Sequence, residues 1–193
     1  MKQRMKTRDV AFQFRMGAGF TGDVNRTHPA SIEPVLVNTA TPPLLYGQGV
    51  VVDAAGQGVR PLVAADNALT AVYGVTVRAF PIQQSSASNF GAAALGAATP
   101  PASGVIDVLR SGYIMVQLGG TFTAAKKGSA VFIWTAASAG ANVQGAFVDT
   151  FTAGGTTAAL PGVTFNGTPD ASGVTEICFD ASGVTKTGSI LEV

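Results

Sequence analysis

Val72-Tyr73-Gly74-Val75-Thr76-Val77-Arg78-Ala79-Phe80 alternates, with Tyr73, Val75, Val77 and Ala79 on one side of an extended chain and Thr76 and Arg78 on the other. Side chains switch faces at every residue of a strand, so the stretch predicts a half-exposed β-strand. Ala130-Val131-Phe132-Ile133-Trp134 is apolar on both faces and predicts a strand covered on both sides, in the middle of its sheet. With these two (near 71–82 and 129–135), short apolar runs near 34–38, 49–53, 59–64, 105–110, 113–118, 145–151, 160–166, 174–179 and 189–193 read as strands. No stretch of about a dozen residues carries helical spacing. The fold class is all-β, a sandwich or barrel.

Turn chemistry between the runs agrees. Asp-Ala-x-Gly occurs at 53–56, 170–173 and 180–183. An Asp opening a turn accepts hydrogen bonds from the amides that follow, and Gly at the fourth position lets the strands resume, so these are hairpin corners. A calcium site would need about six to eight oxygen ligands, which none of these segments offers.

Charge is scarce and uneven. Only 12% of the 193 residues are charged, and the net charge is +1. Residues 1–26 hold Lys2, Arg4, Lys6, Arg8, Arg15 and Arg26 against Asp9 and Asp23, a balance of +4, so the remainder carries −3. Within that stretch Val10, Phe12, Phe14 and Met16 alternate with Ala11, Gln13 and Arg15, one short extended segment with an apolar edge. Residues 1–33 are therefore read as a basic, aromatic arm and 34–193 as a single β-domain; a frayed solvated tail is the alternative for the arm. Gln83 to Gly104, rich in Ser, Ala, Gly and Pro with Phe90 and Leu95 its bulky apolar residues, reads as a projecting loop that contacts a neighbouring subunit.

Chemistry-bearing patterns are weak. His28 is the single histidine and has no nucleophile in an elbow-like context beside it. Gly17-Ala18-Gly19-Phe20-Thr21-Gly22 fits a dinucleotide-binding spacing but lacks the strand before and the helix after that would make it work. Cys178, the single cysteine, excludes a disulfide within the chain and reads as a small core residue. No catalytic, cofactor or metal residue is expected. No apolar run reaches the ~18 residues needed to cross a bilayer, and the charged N-terminus has no apolar core behind it, so neither a membrane segment nor a secretory signal is expected.

In order along the chain, Gly47-Gln48-Gly49-Val50-Val51-Val52-Asp53-Ala54-Ala55-Gly56, Val59-Arg60-Pro61 and Val72 to Pro81 resemble tailed-bacteriophage capsid cement proteins. Val105-Ile106-Asp107-Val108, Ser111 to Val116, Lys127 to Ile133, Val163 to Gly167 and Asp170 to Phe179 are similar to the same family, so that the resemblance covers roughly residues 34–193. It implies a compact β-barrel or jelly-roll-like sandwich, to which the residues themselves add the extended N-terminal arm, present as a homodimer or homotrimer on the exterior of the virion capsid. There it would bind the outer surface of the head at junctions between major capsid proteins, with no enzymatic activity, cofactor or small-molecule substrate.

The residues expected at the interface with capsid or neighbouring subunit are Lys2, Arg4, Lys6, Arg8, Phe12, Phe14, Phe20, Phe90 and Leu95. Few charges and many small side chains favour association. Four net charges at one end are too few for a nucleic-acid partner at physiological salt. A phage tail or fibre β-domain binding host glycans is the alternative; it would need exposed aromatic rings, and the apolar run around Trp134 argues against it.

Overall fold

The computed structural model describes residues 19–24, 26, 29–56, 58–66, 72–78 and 99–181. Nine strands form: β1 (Ser31–Leu36), β2 (Gly49–Val52), β3 (Val59–Pro61), β4 (Val72–Val77), β5 (Val105–Gln117), β6 (Ala130–Trp134), β7 (Phe147–Val148), β8 (Thr157–Phe165) and β9 (Val174–Asp180). They make one antiparallel sheet in the order β3-β2-β4-β5-β9-β8-β6-β7, with β1 paired to β5 as a branch. The sheet curls into a half-barrel, and no helix is formed among these elements.

The curl brings distant strands together. Leu118, just past β5, bridges Phe147 of β7, and the Gly49 amide of β2 donates to the Gly145 carbonyl at 2.8 Å. Beyond β1, Val37 bridges Val59 of β3. Two clusters result. The larger gathers Val51, Val72, Val75 and Val77 with Leu109, Ile114, Ile133, Phe147, Phe165, Ile177 and Phe179. The smaller, on the opposite face of β2 and β5, holds Val37, Val50, Val59, Ile106 and Val108, with Val35 and Tyr73 against it.

The two strands read first from the sequence exchange roles. β4, expected to be half-exposed, is buried at Val72, Gly74, Val75, Thr76 and Val77. Both faces are packed, and a bulge sets which residue faces which cluster: Val50 pairs Gly74 and Val51 pairs Val72, so Tyr73 is an extra residue. One extra residue shifts the phase of the alternation. Tyr73 accordingly joins the smaller cluster while Val72 and Val75 join the larger. Thr76 is buried without penalty because its hydroxyl donates to the Leu45 carbonyl at 3.0 Å and accepts from the Gln48 amide at 2.9 Å. Gly74 lies so close to β5 that a Cβ would sit 2.5 Å from the Leu109 carbonyl oxygen.

β6, expected in the middle and covered on both sides, is next to the end of the sheet. Val131 and Ile133 are buried, but Phe132 and Trp134 are partly exposed on the other face. Trp134 donates its indole N–H to the Ala137 carbonyl at 3.2 Å. The runs 105–110 and 113–118 are one strand, β5, in which Arg110 is skipped by the pairing of Ser31 with Ser111 and Ile32 with Leu109. The run 145–151 shortens to β7; Asp149, just beyond it, is buried and accepts the Ala124 and Ala125 amides at 2.6 and 3.0 Å.

Two of the Asp-Ala-x-Gly corners form as read. Gly56 donates to the Asp53 carbonyl at 2.9 Å between β2 and β3, and Gly173 to the Asp170 carbonyl at 3.0 Å between β8 and β9. The Asp170 carboxylate also accepts the Ser172 and Val174 amides, at 2.8 and 2.9 Å. Of the third corner only Asp180, which ends β9, and Ala181 are described; Ser182, Gly183 and the run 189–193 fall outside the described residues.

Beside β3, Arg60 grips Asp66 with both guanidinium nitrogens, at 2.7 and 2.8 Å. This pairing holds the Asp66 carboxyl below its ordinary value, burial opposing and the Val63 amide assisting. A depressed folded-state pKa means that the stabilisation is complete above about pH 4 and disappears as pH falls through the lowered value. Asp66→Asn is therefore expected to cost about 1 kcal/mol at pH 7 and nothing at the acid end, where protonated Asp66 no longer pairs. Urea midpoints of the two proteins should converge below pH 4; a gap that persists there contradicts the assignment.

Candidate docking surface

The N-terminal segment follows β5 backward. Gly22 donates to the Met115 carbonyl at 2.7 Å and Met115 donates to the Asp23 carbonyl at 2.9 Å; β1 then pairs β5 from Ser111 to Val105. Arg78 donates to the Gly22 carbonyl at 2.9 Å, so this one glycine is tied to both β5 and the end of β4. Its φ of +87° suits glycine, and a Cβ there would lie 2.6 Å from Tyr46 Cβ and 3.0 Å from Arg78 N. Val24 packs against the larger cluster.

Arg26 fastens the next turn. Its Nε lies 3.0 Å from both Glu176 carboxylate oxygens and its Nη2 2.6 Å from one, while the guanidinium stacks 4.5 Å from the Tyr113 ring centroid. Asn166 donates to the same carboxylate. The end of the basic stretch is thus held on the β body, and strand structure begins at Ser31.

Of the residues expected at the interface, Phe20 is described. It is 67% exposed, and Arg78 stacks 4.8 Å from its ring centroid. Lys2, Arg4, Lys6, Arg8, Phe12, Phe14, Phe90 and Leu95 lie outside the described residues, as do His28 and residues 83–98 of the expected loop.

The structure adds an apolar surface that the sequence did not single out. Ile32 and Leu36 of β1 and Val105 of β5, which pairs Leu36, are 43%, 56% and 57% exposed. Pro34 lies between them, exposed. A proline inside a strand marks an edge, and that was the available signal. On the other face of β1, Glu33 accepts from Arg110 Nε at 3.0 Å, and Arg110 stacks 3.9 Å from the Tyr73 ring centroid. Hydrogen bonding to Glu33, then burial, pushes the Tyr73 phenol above its ordinary pKa.

Elsewhere, Phe151 is 61% exposed and its ring tilts against Phe132 at 5.9 Å. With Trp134 partly exposed as well, this outcrop suits protein docking and sugar stacking alike, so ring exposure does not separate the capsid and glycan readings. A cavity of about 500 Å³ lies beside Leu44, Gln48, Arg60 and Gln144. Its polar lining is already engaged: Arg60 by Asp66, and Gln48 by the Leu44 and Leu45 amides and the Gln144 carbonyl. The described surface therefore offers apolar contact and backbone edges, the means of docking.

The comparisons with known proteins point the same way. A family model described as structural cement protein (E217 gp24/Pam3 gp6) matches residues 9–180. No curated protein matches the chain. Among solved structures, a chain of "The capsid of Myoviridae Phage XM1" is similar with a TM-score of 0.63 and 19% identity, covering 91% of this chain and 98% of that one. At that identity the likeness speaks for the fold. The family model spans most of the sequence, from within the basic stretch to the end of β9, and on that ground the chain belongs to the structural cement proteins of phage capsids.

Proposed function

We propose that this capsid protein sits on the outer surface of the phage head, at junctions between major capsid proteins, and holds them together as a dimer or trimer without performing catalysis. The observation that carries the reading is the reach of the family match, which includes residues 9–18 of the arm as well as the whole described β body. A shell opens only when neighbouring capsid proteins separate. A protein bound across each junction opposes that separation many times over, so a modest interface repeated around the head suffices.

In this reading Phe12, Phe14 and Phe20 seat in apolar grooves, Lys2, Arg4, Lys6 and Arg8 meet acidic surface, and Phe90 and Leu95 of the loop touch a neighbour. The described surface supports it: Phe20 is exposed where the arm meets the body, and the clamp at Gly22 and Arg26 fixes the place from which the arm departs.

Deleting residues 1–18 stops short of the clamp and is expected to leave the urea midpoint of the β body unchanged while lowering occupancy on purified heads at least tenfold. Occupancy is read by gel densitometry of sedimented heads across a salt series. Full occupancy of the truncated chain would overturn the arm's role. Head density lacking the protein on the exterior would overturn the placement.

A further inference from the structure

The outward edge of β1 has no strand beside it among the described residues. Val37 donates to the Gly104 carbonyl next to β5 at 2.9 Å, and Asn38 donates to the Val59 carbonyl in β3 at 3.0 Å. Successive residues of a strand turn their amide and carbonyl groups to opposite edges. Glu33 and Val35 therefore face β5, and Ile32, Pro34 and Leu36 face the way Asn38 faces. Asn38 meets β3, but β3 is three residues long, and the pairing goes no further up β1. Pro34, which has no amide hydrogen, falls on this outward edge, where the sheet loses nothing by it. The edge offers the Ile32 and Leu36 amides and the carbonyls of Ile32 and Pro34, the Leu36 carbonyl being taken up by β3 in the bridge between Val37 and Val59. One face beside it carries the exposed apolar Ile32, Leu36 and Val105 together with Asp107, which pairs Pro34; the other carries Glu33 and Val35.

We propose that residues 10–16 of a second copy of this chain add to that edge as a strand. Their alternation matches it: Val10, Phe12, Phe14 and Met16 would extend the Ile32, Leu36 and Val105 face, while Gln13 and Arg15 would fall on the side of Glu33. The segment belongs to a stretch with a balance of +4, and the charged residues bordering the edge are acidic: Glu33, which Arg110 also pairs, on one face and Asp107, opposite Pro34, on the other.

In the chain's own fold only Gly17 and Ala18 separate Met16 from Gly19, and Gly22 and Asp23 are clamped to Met115. That leaves little chain in which to turn back and pass the link leading to Ser31. A second copy has no such constraint, and mutual exchange of strands closes a two-fold pair. The inference goes beyond shell binding and does not depend on it.

The test uses the full chain in solution without heads, with Cys178→Ser in every protein. Chains carrying Phe12→Cys, Phe14→Cys or Met16→Cys are each mixed with a chain carrying Leu36→Cys under oxidised glutathione. Facing residues of paired strands lie about 4.5–5.5 Å apart at Cα, within reach of a disulfide. At least one mixture is expected to give a disulfide-linked pair, at ten times or more the yield obtained with Leu44→Cys, which is exposed away from this edge. Sedimentation should show a dimer whose dissociation constant rises at least tenfold with Leu36→Pro, which removes an outward amide, and by less than threefold with Leu36→Ala, with circular dichroism unchanged in both. No linked pair, equal linking to Leu44→Cys, or a link formed only inside a chain bearing both cysteines overturns the proposal. Since the test contains no heads, its failure is distinct from a failure to bind them.

Discussion

Phe147→Ala is expected to lower the free energy of unfolding by about 3–5 kcal/mol, the cost of removing a large buried ring that its neighbours cannot fully replace. Phe147 is 0% exposed, pairs Ile133, bridges Leu118 and accepts the Gly119 amide at 3.0 Å. A Cβ on Gly49 would lie 3.6 Å from its Cζ, so the ring also reaches β2. It joins the last strand of the sheet to β2 and β5, and its loss loosens the curl as well as emptying a volume. Phe147→Leu, which keeps much of that volume, should cost about 1.5 kcal/mol or less. Urea denaturation followed by fluorescence checks both. An alanine variant with the parent's midpoint would mean that the curl is held by something other than this core.

Gly22→Val is expected to separate stability from function. A valine would need a positive φ that β-branched residues resist, and its Cβ would enter the space of Tyr46 Cβ and the Arg78 amide. The strain is relieved most easily by releasing residues 19–24, because they form no strand of the sheet and are held by a few hydrogen bonds to Met115 and Arg78. Global stability should therefore fall by about 1–3 kcal/mol. If the arm binds the head as proposed, occupancy should fall tenfold or more. Hydrogen exchange localises the effect: the Met115 and Arg78 amides, which donate to Asp23 and Gly22, should exchange faster, while amides in β8 and β9 should not. Unaltered protection at Met115 and Arg78 would show that the glycine is not what holds the segment.

The all-β class was legible because alternation and turn chemistry are local. Asp53 to Gly56 and Asp170 to Gly173 need only their own neighbours to form corners. What was not legible depended on long-range pairing. The bulge at Tyr73 arises from a register with Val50 and Val51 more than twenty residues away, and it put Tyr73 on the face opposite to Val75 and Val77. The burial of Thr76 depends on Leu45 and Gln48, and the partial exposure of Trp134 on the place of β6 near the end of the sheet. For the docking surface, the sequence marked Phe20 by composition but passed over Ile32, Leu36 and Val105, since alternation tells that two faces differ and not which of them stays uncovered. Arg26 was counted as arm charge, whereas Glu176, 150 residues on, makes it a fastening.

The hydrogen bonds that Met115 accepts from Gly22 and donates to Asp23, and the ladder from Ser31 to Leu36, all attach to one strand, β5, and follow one another along it in a single direction. Tension applied to the arm along that line loads the attachments together, in shear; a pull at right angles would peel them in succession. Strand β5 also belongs to the core through Leu109, Ile114 and Val116, so the load passes into the body of the protein and is not left on a surface hinge. Against a pull along β5, the attachment is built in the stronger of its two orientations.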